Sequence, residues 1–157
     1  MKVRLLTIGK TSSSSLKELE AIYEKRLVHY VNYERFDLSD IKNSSSLSQE
    51  QLKEKEGQVF LSKINSDEFL ILLDEKGSSY SSEQFAKMIG DLGIGRNKCL
   101  TFCVGGAFGF STALYARANA KISLSSMTFS HQMVRTIFLE QLYRAYTILK
   151  GEKYHHS

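Results

Sequence analysis

Three short stretches hold residue types that could do chemistry, and each falls where an apolar run ends. Leu73-Asp74-Glu75-Lys76-Gly77 closes the run from Phe69, and Val104-Gly105-Gly106-Ala107-Phe108-Gly109 closes the run from Cys99. Leu124-Ser125-Ser126-Met127-Thr128-Phe129 follows Ile122 and Ser123. In open α/β sheets small ligands bind beyond the carboxyl ends of the strands, so segments placed like this are where a site is expected. Paired glycines remove the Cβ atoms where backbone meets a ligand, and they admit positive φ. Amides and carbonyls exposed there could read an adenine edge or a ribose. The same pair also fits an ordinary strand-to-helix turn, for which glycine is the default residue. It reads G-G-x-x-G rather than G-x-G-x-x-G and lies late in the chain, so it fails the dinucleotide fingerprint, and no P-loop is present. Residue types alone point to a ligand site without naming the ligand.

The C-terminal third carries a second set. Ser130-His131-Gln132-Met133-Val134-Arg135 opens a long helical pattern, which continues through Glu140-Gln141-Leu142-Tyr143-Arg144-Ala145-Tyr146. The chain closes with Gly151-Glu152-Lys153-Tyr154-His155-His156-Ser157. Arg135 and Arg144 could contact phosphate, and Tyr154 could stack on an unpaired base. Singly, each has a plainer reading. His131 could sit at a helix start, the arginines on a solvated face, and Tyr154 to Ser157 in a frayed tail.

The elements that must position these residues alternate. Val3–Ile8 is a short β-branched run ending at Gly9-Lys10, which predicts a central strand. Ser12–Ser15 can cap a helix whose apolar stripe is Leu19, Ile22, Tyr23, Leu27 and Tyr30. Tyr33–Leu38 predicts a second strand, and the polar Asp40–Ser48 a loop. Ser48-Gln49-Glu50-Gln51 has the form of a capping box, opening a charged helix to about Ile64. Gly57 inside that helix costs about 1 kcal/mol relative to alanine, which points to close packing there. The continuous apolar run from Phe69 to Leu73 before Asp74 suits a strand buried on both faces. Ser81 and Ser82 open a helix that ends near Leu92-Gly93-Ile94-Gly95. Cys99–Val104 and Ile122–Leu124 are further strands, with a short helix at Thr112–Ala118 between them. The last helix spans about His131–Lys150. Alternation of this kind predicts an α/β fold: an open, mainly parallel sheet with helices on both faces.

Composition narrows the class. At 157 residues one domain, residues 1–157, can bury its own core, and 42% hydrophobic with 24% charged residues is ordinary for a globular protein. No apolar run reaches the length that spans a bilayer, and the N-terminus lacks a signal peptide's cleavage pattern, so a cytoplasmic location is expected. Cys99 and Cys103 are too few for a disulfide framework or a zinc site; four residues apart on a strand they would share a face as buried thiols. The net charge of +4 permits binding to a polyanion without establishing it. On residues alone the reading stops at an α/β domain with a nucleotide-type site, and an NAD-type enzyme and a non-catalytic RNA-binding protein both stay open.

Taken in order, these segments resemble the RlmH (YbeA) family, the large-subunit ribosomal RNA pseudouridine N3-methyltransferases of the SPOUT (α/β-knot) superfamily. The resemblance covers essentially the whole chain. It runs from Lys2–Lys10 through Tyr23-Glu24-Lys25-Arg26-Leu27, Lys53-Glu54-Lys55-Glu56-Gly57, Leu73-Asp74 and Gly105-Gly106 with Gly109. It ends with Leu124–Phe129, His131-Gln132-Met133, Glu140–Ala145 and Tyr154-His155. It implies a C-terminal deep trefoil knot, with S-adenosylmethionine held at Leu73, Gly105, Leu124, Ser125, Ser126, Met127, Thr128 and Phe129. It implies a homodimer with the final helix at its interface, acting on assembled ribosomes, without metal, membrane or DNA. His131, Arg135, Arg144, Tyr154 and His155 then become candidates for work on the RNA side. His131 or His155 would assist loss of the N3 proton, Arg135 and Arg144 would hold phosphate, and the Tyr154-His155 tail would complete a partner's site. The chain departs from the family in having Ser130 where proline is common before the His-Gln pair, and Ala107-Phe108 where a polar pair is common.

Overall fold

Each strand is followed by a helix, and every strand pairing is parallel. The structure is a computed structural model, which describes residues 1–95 and 97–156. Ser157, the last residue of the tail read above, lies outside the described residues. The strands are β1 (Lys2–Ile8), β2 (Asn32–Leu38), β3 (Phe69–Ser79), β4 (Cys99–Val104) and β5 (Ala120–Ser123). The helices are α1 (Ser14–Leu27), α2 (Gln49–Leu61), α3 (Ser82–Ile94), α4 (Thr112–Arg117) and α5 (Met133–Leu149). The sheet order is β2-β1-β4-β3-β5. Parallel neighbours need a crossover, and the helices supply it.

Alternation along the strands divides the core between the two faces. Val3, Leu5, Ile71, Leu73, Leu100, Phe102 and Val104 pack with side chains of α1, α3 and α5. Leu6, Ile8, Leu70, Leu72 and Cys103 pack on the other side with Phe60 of α2 and Leu114 of α4. The expected parallel sheet with helices on both faces is therefore what forms. Cys99 and Cys103 are free thiols, the second fully buried, and burial pushes its thiol far above the usual range. Among the described residues no helix is long and apolar enough to cross a membrane.

Serine sets the helix starts. Ser13, Ser48, Ser81 and Ser111 each accept a backbone N–H at the start of α1, α2, α3 and α4, and Ser48 and Ser81 complete capping boxes with Gln51 and Gln84. A cap of this kind is worth about 1 kcal/mol. The expected boundaries hold within a few residues, with one instructive exception. β3 does not stop at Asp74; it slips register after Leu73 and pairs again, Ser78 with Ile122 and Ser79 with Ser123. Gly77 permits this, because a Cβ there would lie 2.6 Å from the backbone of β5.

Gly57 shows why an unfavourable residue sits inside α2. A Cβ at this position would collide with the side chain of Ser111, the residue that caps α4, so glycine lets α2 and α4 approach. Helix propensity alone would make Gly57→Ala stabilising by about 1 kcal/mol. The contact reverses the sign: thermal unfolding of Gly57→Ala should show a lower midpoint than the wild-type protein.

Candidate functional site

The carboxyl ends of β3, β4 and β5 converge on a cavity of about 360 Å³, within the range of small-molecule sites. Leu73 and Gly105 border it, as do Leu124, Ser125, Met127, Thr128 and Phe129. Ser126 does not line it. The Met127 amide donates to Ser125 Oγ at 2.9 Å, which turns the loop over Ser126 and leaves that residue exposed. Buried Ser123 holds the same loop from below, its hydroxyl donating to the Ser125 carbonyl at 2.8 Å.

The glycine segment is a cradle that side chains would fill. A Cβ on Gly105 would stand 3.2 Å from the Phe110 ring and 3.4 Å from the Gly109 carbonyl, and one on Gly106 would stand 2.8 Å from the Glu56 carboxylate. Glu56 is itself only 9% exposed; burial first, and then the charge of Asp40, push its carboxyl above the usual range. The Gly109 amide donates to the Gly106 carbonyl at 3.3 Å, and Gly109 takes a left-handed φ of 87°. Only glycine adopts that conformation without strain.

Residues outside the expected set complete the wall. Gln49, Asp74, Lys76 and Tyr115 border the cavity. The Tyr115 hydroxyl donates to Asp74, and burial together with this bond pushes the phenol up to about 12. The Lys76 amide donates to the other Asp74 oxygen at 2.9 Å. Thr128 donates to Glu75 at 2.9 Å, fastening the third loop to the first. Asp74 and Lys76 stood in a quoted segment but carried no role, while Tyr115 read as one more helical residue. Gln49 gave no signal beyond its place in the capping box.

The C-terminal candidates separate. His131 is exposed and borders the cavity. It precedes α5, which begins at Met133, and Ser130 caps that turn by accepting the Met133 amide at 3.2 Å. Arg135 is 1% exposed, with its guanidinium turned inward. It donates to the carbonyls of Ile8 at 2.7 Å and Gly9 at 2.9 Å, and to Thr11 Oγ1 at 3.3 Å. This corrects the phosphate role expected for it, since a guanidinium with no exposed face cannot receive a phosphate. Arg144, Tyr154 and His155 lie together and do not border the cavity. Arg144 donates to Glu140 and, at 3.3 Å, to His155 Nδ1, and its guanidinium lies 4.8 Å from the Tyr154 ring centroid. Tyr154 also donates to Glu140, at 3.1 Å. His155 Nε2 meets Glu83 at 2.7 Å, and this bond holds the Glu83 carboxyl down to about 2. The tail is folded back on α5 and the start of α3.

The family model described as "Predicted SPOUT methyltransferase" matches residues 1–155. The chain belongs to the SPOUT methyltransferases. Within them it falls in the ribosomal RNA large subunit methyltransferase H family, as its relatives of that name show. The one from Christiangramia forsetii is 49% identical over 156 residues, covering 99% of each chain. Those from Flavobacterium johnsoniae and Cytophaga hutchinsonii are 48% and 50% identical, each covered over its whole length.

For a SPOUT methyltransferase the inward Arg135 is a framework residue, tying the start of α5 to the carboxyl end of β1. Arg135→Leu removes the guanidinium from the Ile8 and Gly9 carbonyls and leaves Gly9, among the described residues, only the Thr7 hydroxyl at 3.3 Å. The cost is about 1–3 kcal/mol for a carbonyl stranded in the interior. The urea midpoint of this variant should fall well below that of the wild-type protein. An unchanged midpoint would show that these bonds do not hold α5 to β1.

Proposed function

We propose that this chain, as one domain over residues 1–157, methylates N3 of a pseudouridine in large-subunit ribosomal RNA, using S-adenosylmethionine. In this reading it works in the cytoplasm on assembled ribosomes, as a homodimer whose C-terminal region forms the family's trefoil knot. The observation that carries the reading is the pairing of end-to-end identity near 49% to proteins of that name with a glycine-lined cavity at the three strand ends. The cavity suits the cofactor. Gly105 and Gly106 bring bare backbone to its wall, and the Ser125–Phe129 loop is held rigidly beside them.

S-adenosylmethionine supplies an already activated methyl group, so the protein's task is chiefly placement, which can contribute roughly 7–11 kcal/mol. The N3 imide must lose its proton, and an imidazole within reach can accept it. His131 stands on the cavity wall and takes that position within one subunit. Arg144, Tyr154 and His155 stand off their own cavity, so they act on the partner's site, which a tail beyond an interface helix can reach across a two-fold axis. The expected phosphate contact then falls to Arg144 alone.

The decisive experiment is transfer of a tritiated methyl group to ribosomes from a strain lacking the enzyme, followed by mapping of the modified nucleotide. Label at one large-subunit pseudouridine is expected. Absence of label despite binding of S-adenosylmethionine in preference to NAD and ATP would move the substrate elsewhere. Absence of binding would favour an RNA-binding protein without catalysis. The shared site has its own check: mixed dimers of a subunit truncated before Tyr154 with a Gly105→Val subunit should recover activity in one of their two sites, and no recovery would refute sharing.

A further inference from the structure

We infer that Phe108 is the platform on which the target base stacks once it has left its RNA helix, with Met127 closing over its edge. The inference deepens the proposed methyl transfer and rests on that reading. A base whose ring nitrogen must meet a methyl donor in a protein cavity has to leave its stack, and it loses its neighbours' faces in doing so. Aromatic side chains replace those faces in single-stranded recognition, and the contact tolerates any base because every base has a π-face.

The glycine loop carries two phenylalanines with opposite roles. Phe110 is 5% exposed and anchors the loop inward, its ring 6.1 Å from Phe60 and 6.0 Å from Tyr115. Phe108 is 47% exposed, borders the cavity and belongs to no aromatic pair among the described residues. A solitary exposed phenylalanine is ordinary on a protein surface and argues nothing by itself. This one sits at the tip of a turn fixed on both sides. Gly106 and Gly109 form an antiparallel bridge across it, and the anchored Phe110 follows at once. The ring is thus presented by a rigid mount, so stacking on it sacrifices little freedom. Met127, 76% exposed, is a second large apolar side chain open on the cavity wall and comes from the neighbouring loop. Its unbranched thioether can adapt to a flat partner. Lys76, exposed on the same wall, adds a positive charge beside the mouth for the target's phosphate.

The test uses the full-length protein with unmethylated ribosomes, and with short oligouridylate as a second probe. Loss of one base–aromatic stack lowers kcat/KM by roughly 5- to 150-fold. Phe108→Ala should show a fall in that range, with S-adenosylmethionine affinity and oligomeric state unchanged, and Phe108→Tyr should restore most of it. Activity of Phe108→Ala within two-fold of wild type would overturn the inference. So would a fall accompanied by lost cofactor affinity or a changed oligomeric state, which would make Phe108 a cofactor or subunit contact. The chain has no tryptophan, so Phe108→Trp places a single tryptophan at the mouth, excited selectively over the chain's tyrosines. Oligouridylate should quench it more strongly than it quenches free tryptophan. Equal quenching would also overturn the inference. Wild-type protein that fails to methylate ribosomes would refute the proposed substrate instead, and the quenching result would still decide the stacking.

Discussion

A guanidinium almost sealed from solvent joins the last helix to the first strand, and the arrangement of the cavity depends on it. Removing a charged group from water is costly unless its hydrogen bonds are replaced. The two terminal nitrogens of Arg135 donate to carbonyls at the end of β1 and to Thr11, while its Nε is buried without a partner among the described residues. The carboxylates of Glu20, Asp37 and Asp40 compensate its charge, and the like charge of Arg35 is held among the first two of them. Arg35 donates to Glu20 at 2.7 Å and to Asp37 at 2.8 Å, and Thr11 donates to Glu20 at 3.0 Å. Because this network fixes where α5 begins, it also fixes the segment just before it, which is the loop from Leu124 to His131. The candidate site is therefore bordered by a loop whose far end is pinned at the carboxyl end of β1, beyond β4 from β3 and β5.

Close approach of backbone is the second organising constraint. Gly57 admits the cap of α4, Gly77 lets β3 continue against β5, and Gly106 makes room for the buried carboxylate of Glu56. All three act near the carboxyl edge of the sheet, where backbone rather than side chains must face a ligand. The aliphatic strands supply stiffness and the glycines supply access. Serine does the complementary work, turning the chain into its helices and lacing the third loop through Ser123 and Ser125.

Much of this was legible in the sequence. Apolar runs located β1, β3 and β4, because burial on both faces of a parallel sheet leaves uninterrupted hydrophobic stretches such as Phe69–Leu73, while the edge strand β2 is largely polar. Ser48 with Gln51 named a helix start outright. The three loops at the strand ends were also found, since paired glycine and clustered serine have local causes. What stayed hidden depended on contacts distant in the chain. Arg135 has the residue type of a phosphate ligand, and only the carbonyls of Ile8 and Gly9, brought to it by folding, make it structural. The continuation of β3 past Asp74 required β5 to be in place. Tyr115 looked like any residue of a short helix until Asp74 stood beside its hydroxyl.

The distance along the chain between Arg135 and its partner Ile8 is 127 residues, and β1 takes β4 as its second neighbour only after nearly two thirds of the sequence has been made. Pairings so far apart close late, because the entropy of the intervening loop must be overcome first. During synthesis, β1 and β2 can meet early, but the cavity has no third wall until Leu124–Phe129 emerges and no anchor for that wall until α5 follows. The cavity at the strand ends is thus among the last parts of the molecule to come into being. A chain still in synthesis therefore lacks the anchored third wall of this cavity until α5 is free to fold.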